Sequence, residues 1–382
     1  MIPIALPRNA QLWLPGYVRQ RMEHARTPRT AGPIDVLFCV ADHFEPDHGG
    51  ADAATERRRV ARWLDEYPKL ASAFKDADGF PPQHTFFSPL EVYRAEHIDR
   101  LAELCGAGCG EVEVHLHHDL DSSARLRRRL EWFRHTLALR HGLLGRDANG
   151  RPAYAFIHGN WALDNGRPDG RWCGVNDEIT VLRETGCYAD LTMPSAPDPA
   201  QSRTVNSIYY AIDDPARPRS YDAGSRARVG ATAARDGLLM VQGPLTLRWD
   251  VRVGGVLPRI DNGALDASPL HHPTIDRFRR WVEAGICVAG RPEWVFVKVH
   301  THGAKESNAD VLLGDTMYAF HAAIGAEFND GRRYRLHYVT AREMHNIVKA
   351  AEDGKAGNAG DYRDYAITRP ARALPATGTA RR

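Results

Sequence analysis

Along residues 111–117 polar and apolar positions alternate. Val112, Val114 and Leu116 fall on one side of the chain, and Glu111, Glu113, His115 and His117 on the other. A repeat of two belongs to a β-strand, with an apolar side for packing on helices and a polar side facing an interior. Apolar runs at 36–41, 84–88, 153–157, 187–192, 204–212, 237–248 and 294–299 predict further strands. Between them, 55–75, 92–105, 122–141, 177–185, 275–284, 315–328 and 340–352 carry helical spacing. This alternation predicts an α/β fold with parallel strands. At 198–235 it breaks into Pro, Arg, Ser and Asp. That stretch is expected to be an insertion capping one end of the strands, because loops of this length are usually functional or disordered. No repeat or linker divides the chain. One domain is expected over 1–353, followed by a mobile tail, 354–382, rich in Gly, Ala, Arg and Pro.

Composition narrows the class. The 382 residues suffice for an α/β barrel of about 250 residues with insertions, and the 43 % apolar fraction supplies its core. Fifty basic against 48 acidic residues, net +2, give no argument for nucleic acid or a membrane surface. No apolar run approaches the ~18 residues that span a bilayer, and no basic segment precedes an apolar one at the N-terminus. A soluble cytoplasmic protein is expected. The six cysteines form no CxxC pair and are expected to be reduced, packed thiols. Nothing in the pattern specifies an oligomeric state.

Chemistry-bearing residues follow the apolar part of each strand. Asp42, His43 and Glu45 follow the first; His115, His117, His118 and Asp119 lie on and after the next polar-faced strand; His158, Asn160 and Trp161 come after 153–157; Asp190 lies on 187–192; His300 and His302 end the last. Parallel barrels assemble active sites at that end. Two imidazoles two residues apart on one strand side are metal-ligand chemistry. One divalent cation is expected on His115, His117 and a ligand from Asp42–His43, with His43 entered as the ligand. His118 and Asp119 are alternatives to His117. Zn²⁺ suits imidazoles first, and Co²⁺ or Ni²⁺ also fit. Glu45 is read as a loop or outlying acid, and Lys298 as an interior partner of Glu113 or Asp190. His271, His272, His321, His337 and His345 are read as loop or packing residues.

Taken in order, these segments resemble the polysaccharide deacetylase family, the carbohydrate esterases with the chitooligosaccharide deacetylase homology domain. The resemblance covers about residues 33–303. It implies a deformed (β/α)7 barrel, one divalent metal held by an Asp and two His, and removal of N- or O-acetyl groups from sugars. It places Asp42 as general base and His43 where the family has a metal-binding Asp. His115 matches the first His of the second motif, and Asp119 stands where the second His belongs. Thr85-Phe86-Phe87 resembles a structural strand of the family. Asp190 resembles the acid that orients the base. The family's Arg-x-Pro segment is replaced by the stretch from Phe156 to Trp161. Lys298-Val299-His300 resembles the last motif, which makes His300 the general acid and His302 its fallback or a substrate contact.

The chemistry is coherent. A metal polarises a carbonyl and lowers the pKa of water, a carboxylate takes a proton, and an imidazole returns one to the leaving group. His158 and Asn160 are candidate substrate contacts, and Trp161 a face for a sugar ring. The expected function is a metal-dependent hydrolase removing an acyl group from a carbohydrate or sugar-precursor amide or ester. Two other readings stand beside it. A glycoside hydrolase would use Asp42 and Asp190 as carboxylates about 5–9.5 Å apart. A non-catalytic carbohydrate-binding or regulatory barrel would use none of this chemistry.

Overall fold

A computed structural model describes residues 6–26, 32–231 and 237–370. Its strands are β1 (Ile34–His43), β2 (His84–Pro89), β3 (Gly110–Leu116), β4 (Gly145–Arg146), β5 (Pro152–His158), β6 (Cys187–Asp190), β7 (Ile208–Ala211), β8 (Ser225–Arg226), β9 (Leu238–Val241), β10 (Thr246–Val253), β11 (Leu257–Asp261), β12 (Ala264–Leu265), β13 (Trp294–Thr301) and β14 (Tyr334–Tyr338). The helices are α1 (Ala10–Arg26), α2 (Ala53–Ser72), α3 (Ala95–Gly106), α4 (Ser123–His135), α5 (Glu178–Glu184), α6 (Ile275–Glu283), α7 (Glu306–Leu312), α8 (Asp315–Phe328) and α9 (Ala341–Glu352). The fold is α/β. One large sheet runs β12-β13-β1-β2-β3-β5-β6-β9-β7-β8, with β14 also on β1 and β4 on β5. From β12 to β9 every pairing is parallel. Among the described residues no ladder joins the two ends of this order, so the closed (β/α)7 ring of the sequence reading is not drawn by strand pairing.

The alternation seen in the sequence fixes which side of each strand meets helices. Val36, Phe38 and Val40 of β1, Val112, Val114 and Leu116 of β3, and Val295, Val297 and Val299 of β13 share an outer core with Trp63 of α2, Ile98 of α3 and Phe278 of α6. The opposite residues, Leu37, Cys39, Ala41, Ile157, Leu191, Val241 and Phe296, form an inner core. Strands far apart in the order thus contribute to one interior, so the sheet curls. Lys298 Nζ donates across this interior to the carbonyls of Leu191 and Met193, at 2.5 and 2.7 Å. It pairs with neither Glu113 nor Asp190, the partners the sequence suggested: the carbonyls at the exit of β6 lie within reach and satisfy the ammonium group.

Helix α9 plugs the N-terminal end of the strands. Thr340 and Glu343 form a reciprocal capping box at its start. Every residue of α9 except Lys349 is buried. Ala341 N–H donates to Thr85 Oγ1 on β2, and Thr340 Oγ1 donates to Glu111 on β3.

Within the stretch expected to cap the mouth, the strand expected over 204–212 is present as the buried run Ile208–Ala211, which joins the sheet antiparallel to β9; its aromatic and β-branched residues suit a strand. Residues 232–236 of that stretch lie outside the described residues. The tail expected to be mobile from 354 is docked as far as 370. The Arg363 guanidinium is buried against Asp76 at 2.7 Å and Glu343 at 2.9 Å, and Asn346 Oδ1 accepts the Ile367 N–H at 2.8 Å. Residues 371–382 lie outside the described residues. No helix among the described residues is long and apolar enough to cross a membrane.

Glu113 lies on the inner side of β3, buried, accepting hydrogen bonds from Ala155 N–H at 2.6 Å and from Tyr188 Oη. Burial pushes its carboxyl up to about 8, against those two bonds, which favour the ionised form. The folded protein therefore holds a proton that the unfolded chain releases near 4.5. The stabilisation is complete below about 4.5 and is lost as pH rises through about 8. Glu113→Gln, which copies the protonated acid, is expected to flatten the fall in melting temperature across that window. Parallel thermal melts of parent and variant at several pH values check it.

Candidate metal centre

Three strands carry the inner stripe up to the C-terminal mouth. Ala41 is followed by His43 and then Glu45; Glu113 by His115 and His117; Lys298 by His300 and His302. These side chains converge. The His43 ring centroid is 4.7 Å from that of His115, 4.7 Å from His302 and 6.4 Å from His300. The rings of His115 and His117 are 4.5 Å apart.

Glu45 stands at the centre. His43, Glu45 and His302 present ligand atoms all within 4.8 Å of one another, and so do Glu45, His115 and His117. The His115 ring is fully buried. Its Nδ1 meets the Ile157 carbonyl at 2.8 Å, and its Nε2 faces Glu45 Oε1 at 3.1 Å. A carbonyl only accepts, so Nδ1 carries a proton, and Nε2 is turned toward a carboxylate oxygen at the spacing of two ligands of one cation. His117 repeats the pattern, with Nδ1 on Glu91 Oε1 at 2.6 Å and Nε2 3.6 Å from Glu45 Oε1. Imidazoles oriented through Nδ1 by a carbonyl or carboxylate are the usual supports of metal ligands. His48 Nδ1, 3.6 Å from Glu45 Oε2, completes the rim.

The electrostatics agree. Burial tends to raise the Glu45 carboxyl, but hydrogen bonds from His115 and His48 and the surrounding imidazoles hold it far below the usual carboxylate range. Burial first, then His115 and His302, push His43 well below its ordinary value. Burial, followed by Lys298 and His302, does the same to His300. Burial lowers His117, but Glu91 and Glu45 outweigh it and leave the ring raised. An ionised carboxylate among converging imidazoles, with His43 kept neutral by burial, could serve as a donor set for a divalent cation.

Beside this cluster opens a cleft of roughly 380 Å³ lined by Trp161, Arg259, Asn262, Asp266, His300 and His302. His300 faces the cleft and belongs to neither three-ligand group. Asn160, half-buried, adjoins Trp161 where both residues adopt left-handed backbone, φ +54° and +55°.

The remaining expected site residues lie elsewhere. Asp42, one residue from His43, points to the opposite side of β1, where His84 Nε2 lies 2.9 Å away and Gly303 N–H donates at 2.6 Å. It ties the exit of β13 to β1 and β2 and does not face the cleft, so it is not placed to act as base. Asp190 shares the outer side of the sheet; Thr192 N–H and Oγ1 donate to it at 3.0 and 2.6 Å. Burial, opposed by those bonds, raises it to about 7. Asp42 and Asp190 therefore do not flank the cleft. His158 is fully buried on the outer side of β5, 2.8 Å from His118, and does not line the cleft. His118 likewise turns away from the mouth, which removes it as an alternative to His117. The Asp119 carboxylate caps backbone N–H groups of Leu120 and Trp172.

Glu45, Glu91 and His48 were not assigned to the site from sequence. Glu45 had a signal, since it continues the parity of His43.

The structural reading of Asp42 gives an expected result. A Cβ at Gly303 would lie 2.2 Å from Asp42 Oδ2 and 2.6 Å from Trp63 Cζ2. Gly303→Ala is expected to destabilise the fold by about 1–3 kcal/mol, the usual range for overpacking, read as a lowered melting temperature. Comparison of the chain with protein-family models and with curated proteins finds no match.

Proposed function

We propose that the protein is a metal-dependent hydrolase that removes an acyl group from an amide or ester on a carbohydrate, as a divergent relative of the polysaccharide deacetylases. The observation that carries the reading is Glu45 shared by the His43–His302 and His115–His117 pairs beside a cleft that His300 and Trp161 line. A divalent cation held by these residues, Zn²⁺ first and Co²⁺ or Ni²⁺ by the same donor chemistry, would supply Lewis acidity toward the acyl carbonyl and a lowered pKa for water. The chain's own groups do the rest. Glu91 and the Ile157 carbonyl fix the rings of His117 and His115. Trp161 offers an apolar face for a sugar ring, and Asn262 and Asp266 offer polar contacts to its hydroxyls. His300 is the proton-transfer group: it accepts a proton from the attacking water and returns it to the leaving nitrogen or oxygen, which makes a separate carboxylate base at Asp42 unnecessary.

Curling of the sheet around a common interior supports a deformed (β/α)7-type barrel as the scaffold, with Lys298 bridging β13 to the exit of β6. The glycosidase reading lacks its carboxylate pair, because Asp42 and Asp190 face the helical layer.

The test is acyl release from N- and O-acetylated sugars by the full chain, before and after chelation and after re-addition of Zn²⁺ or Co²⁺. Release that chelation abolishes and metal restores is expected. A cation-loaded protein that hydrolyses nothing across the panel would favour a binding role instead.

A further inference from the structure

A second cluster of ligand-type side chains lies on the other side of the sheet, between the strand ends and the outer helices. His118 follows β3, His158 ends β5, Cys173 comes from the irregular segment 159–177, and Glu178 opens α5. All four side chains are fully buried, and their ligand atoms lie within 4.8 Å of one another. His118 Nε2 is 2.8 Å from His158 Nε2 and 3.1 Å from Glu178 Oε1. His158 Nε2 is 3.5 Å from the same oxygen, and Cys173 Sγ is 3.4 Å from Glu178 Oε2.

Hydrogen bonds on the far side of each ring turn both Nε2 atoms toward the other two ligand-type groups. His158 Nδ1 lies 2.6 Å from the Gly159 carbonyl, and His118 Nδ1 lies 3.2 Å from the Asp121 carboxylate. Both partners are acceptors, so each Nδ1 carries a proton. The two Nε2 atoms then face each other and a carboxylate oxygen in a buried pocket; burial lowers His118, but Glu178 and Asp121 outweigh it and leave that ring raised well above its ordinary value, so a bound cation would take the place of the His118 Nε2 proton. Cys173 Sγ accepts backbone N–H bonds from Asn165 and Val175, both at 3.4 Å; burial and then the Glu178 carboxylate push its thiol up to about 11, so a bound cation would have to displace the thiol proton. With a cation bound, the thiolate, the carboxylate and two neutral imidazoles would carry two negative charges, which a divalent ion cancels.

We propose that His118, His158, Cys173 and Glu178 hold a structural divalent cation of the zinc type, separate from the mouth site. Four protein ligands and full burial leave no open position for substrate, the mark of a structural rather than a catalytic site. Its task is to pin segment 159–177, where Asn160, Trp161, Asp164, Asn165 and Trp172 all adopt left-handed backbone, a conformation non-glycine residues hold only when their surroundings impose it. By anchoring that segment at Cys173 and Glu178, the cation sets the position of Trp161 over the cleft. The proposal does not rest on the reading of the mouth.

The test uses the full chain produced with cobalt in place of zinc. Among the described residues Cys173 is the only cysteine in a metal-competent group, so only this site can give a thiolate-to-cobalt charge-transfer band. The band is expected in the parent protein and in a double variant, His115→Ala with His117→Ala, that disables the mouth. It should vanish in Cys173→Ser, with the loss of one metal equivalent per chain by elemental analysis. His158→Gln is a second variant expected to lose the same equivalent. A folded, cobalt-containing parent with no such band, or Cys173→Ser with the parent's metal content, would overturn the proposal. The band in the parent decides the matter even where a variant does not fold. Failure of the mouth reading would show instead as a parent protein that gives this band and hydrolyses nothing.

Discussion

Glu45→Gln is expected to strip the cation from the mouth while leaving the chain folded. Glu45 is the one carboxylate common to both three-ligand groups there, and His43, His115, His117 and His302 are the imidazoles arranged about it. The amide keeps the shape of the side chain and removes its charge. The neutral rings then lack the anion that makes the set attractive to a divalent ion. Loss of an outlying partner of a metal ligand costs about 10–100-fold in affinity, and removal of a shared ligand is expected to cost more. Elemental analysis should show one equivalent fewer per chain than the parent, and acyl release should fall with it. A folded variant with the parent's metal content would take Glu45 out of the ligand set. The variant Glu91→Gln, whose parent carboxylate holds the His117 Nδ1 and backbone N–H, is expected to weaken binding within the outlying range.

The part of this site that was legible in the sequence is the part governed by strand parity. His115 and His117, and His300 and His302, each keep one face because two residues return a strand to the same side, and the structure brings both pairs to one mouth. The same rule separates Asp42 from His43. Neighbours on a strand face opposite ways, and Val40, which shares the side of Asp42, is apolar and packs on helices. The family resemblance placed Asp42 in the cleft, where parity argues against it. Parity also carries His43 forward to Glu45, although the strand ends at His43 and the regular pattern stops there. The buried group of His118, His158, Cys173 and Glu178 had no such signal. Two of its members come from a strand exit and a strand end, and two from an irregular segment and a helix start, so no single periodicity links them. Helix α9 was legible as a helix. Its position as a plug was not, because burial on all sides follows from the curl of the sheet rather than from its own pattern.

Replacement of His300 by Gln is expected to lower the rate of acyl release by about 10²–10⁴-fold, the usual contribution of a general acid or base, with metal content unchanged. The argument is positional. His300 lies on the inner side of β13, lines the cleft beside His302 and Trp161, and supplies no atom to either cation group. Gln fills similar space and retains hydrogen-bonding capacity, but cannot carry a proton from water to a leaving group. The loss should therefore appear in kcat, with KM little altered. Asp42→Asn is the contrast. Its carboxylate holds His84 and the Gly303 N–H on the far side of β1, so the variant should lower the melting temperature and leave kcat within a few-fold of the parent. Were Asp42 the base, the order would reverse: Asp42→Asn would lose the rate without losing the fold. Measuring melting temperature, metal content and kcat on the two variants side by side separates proton transfer at His300 from an architectural role at Asp42.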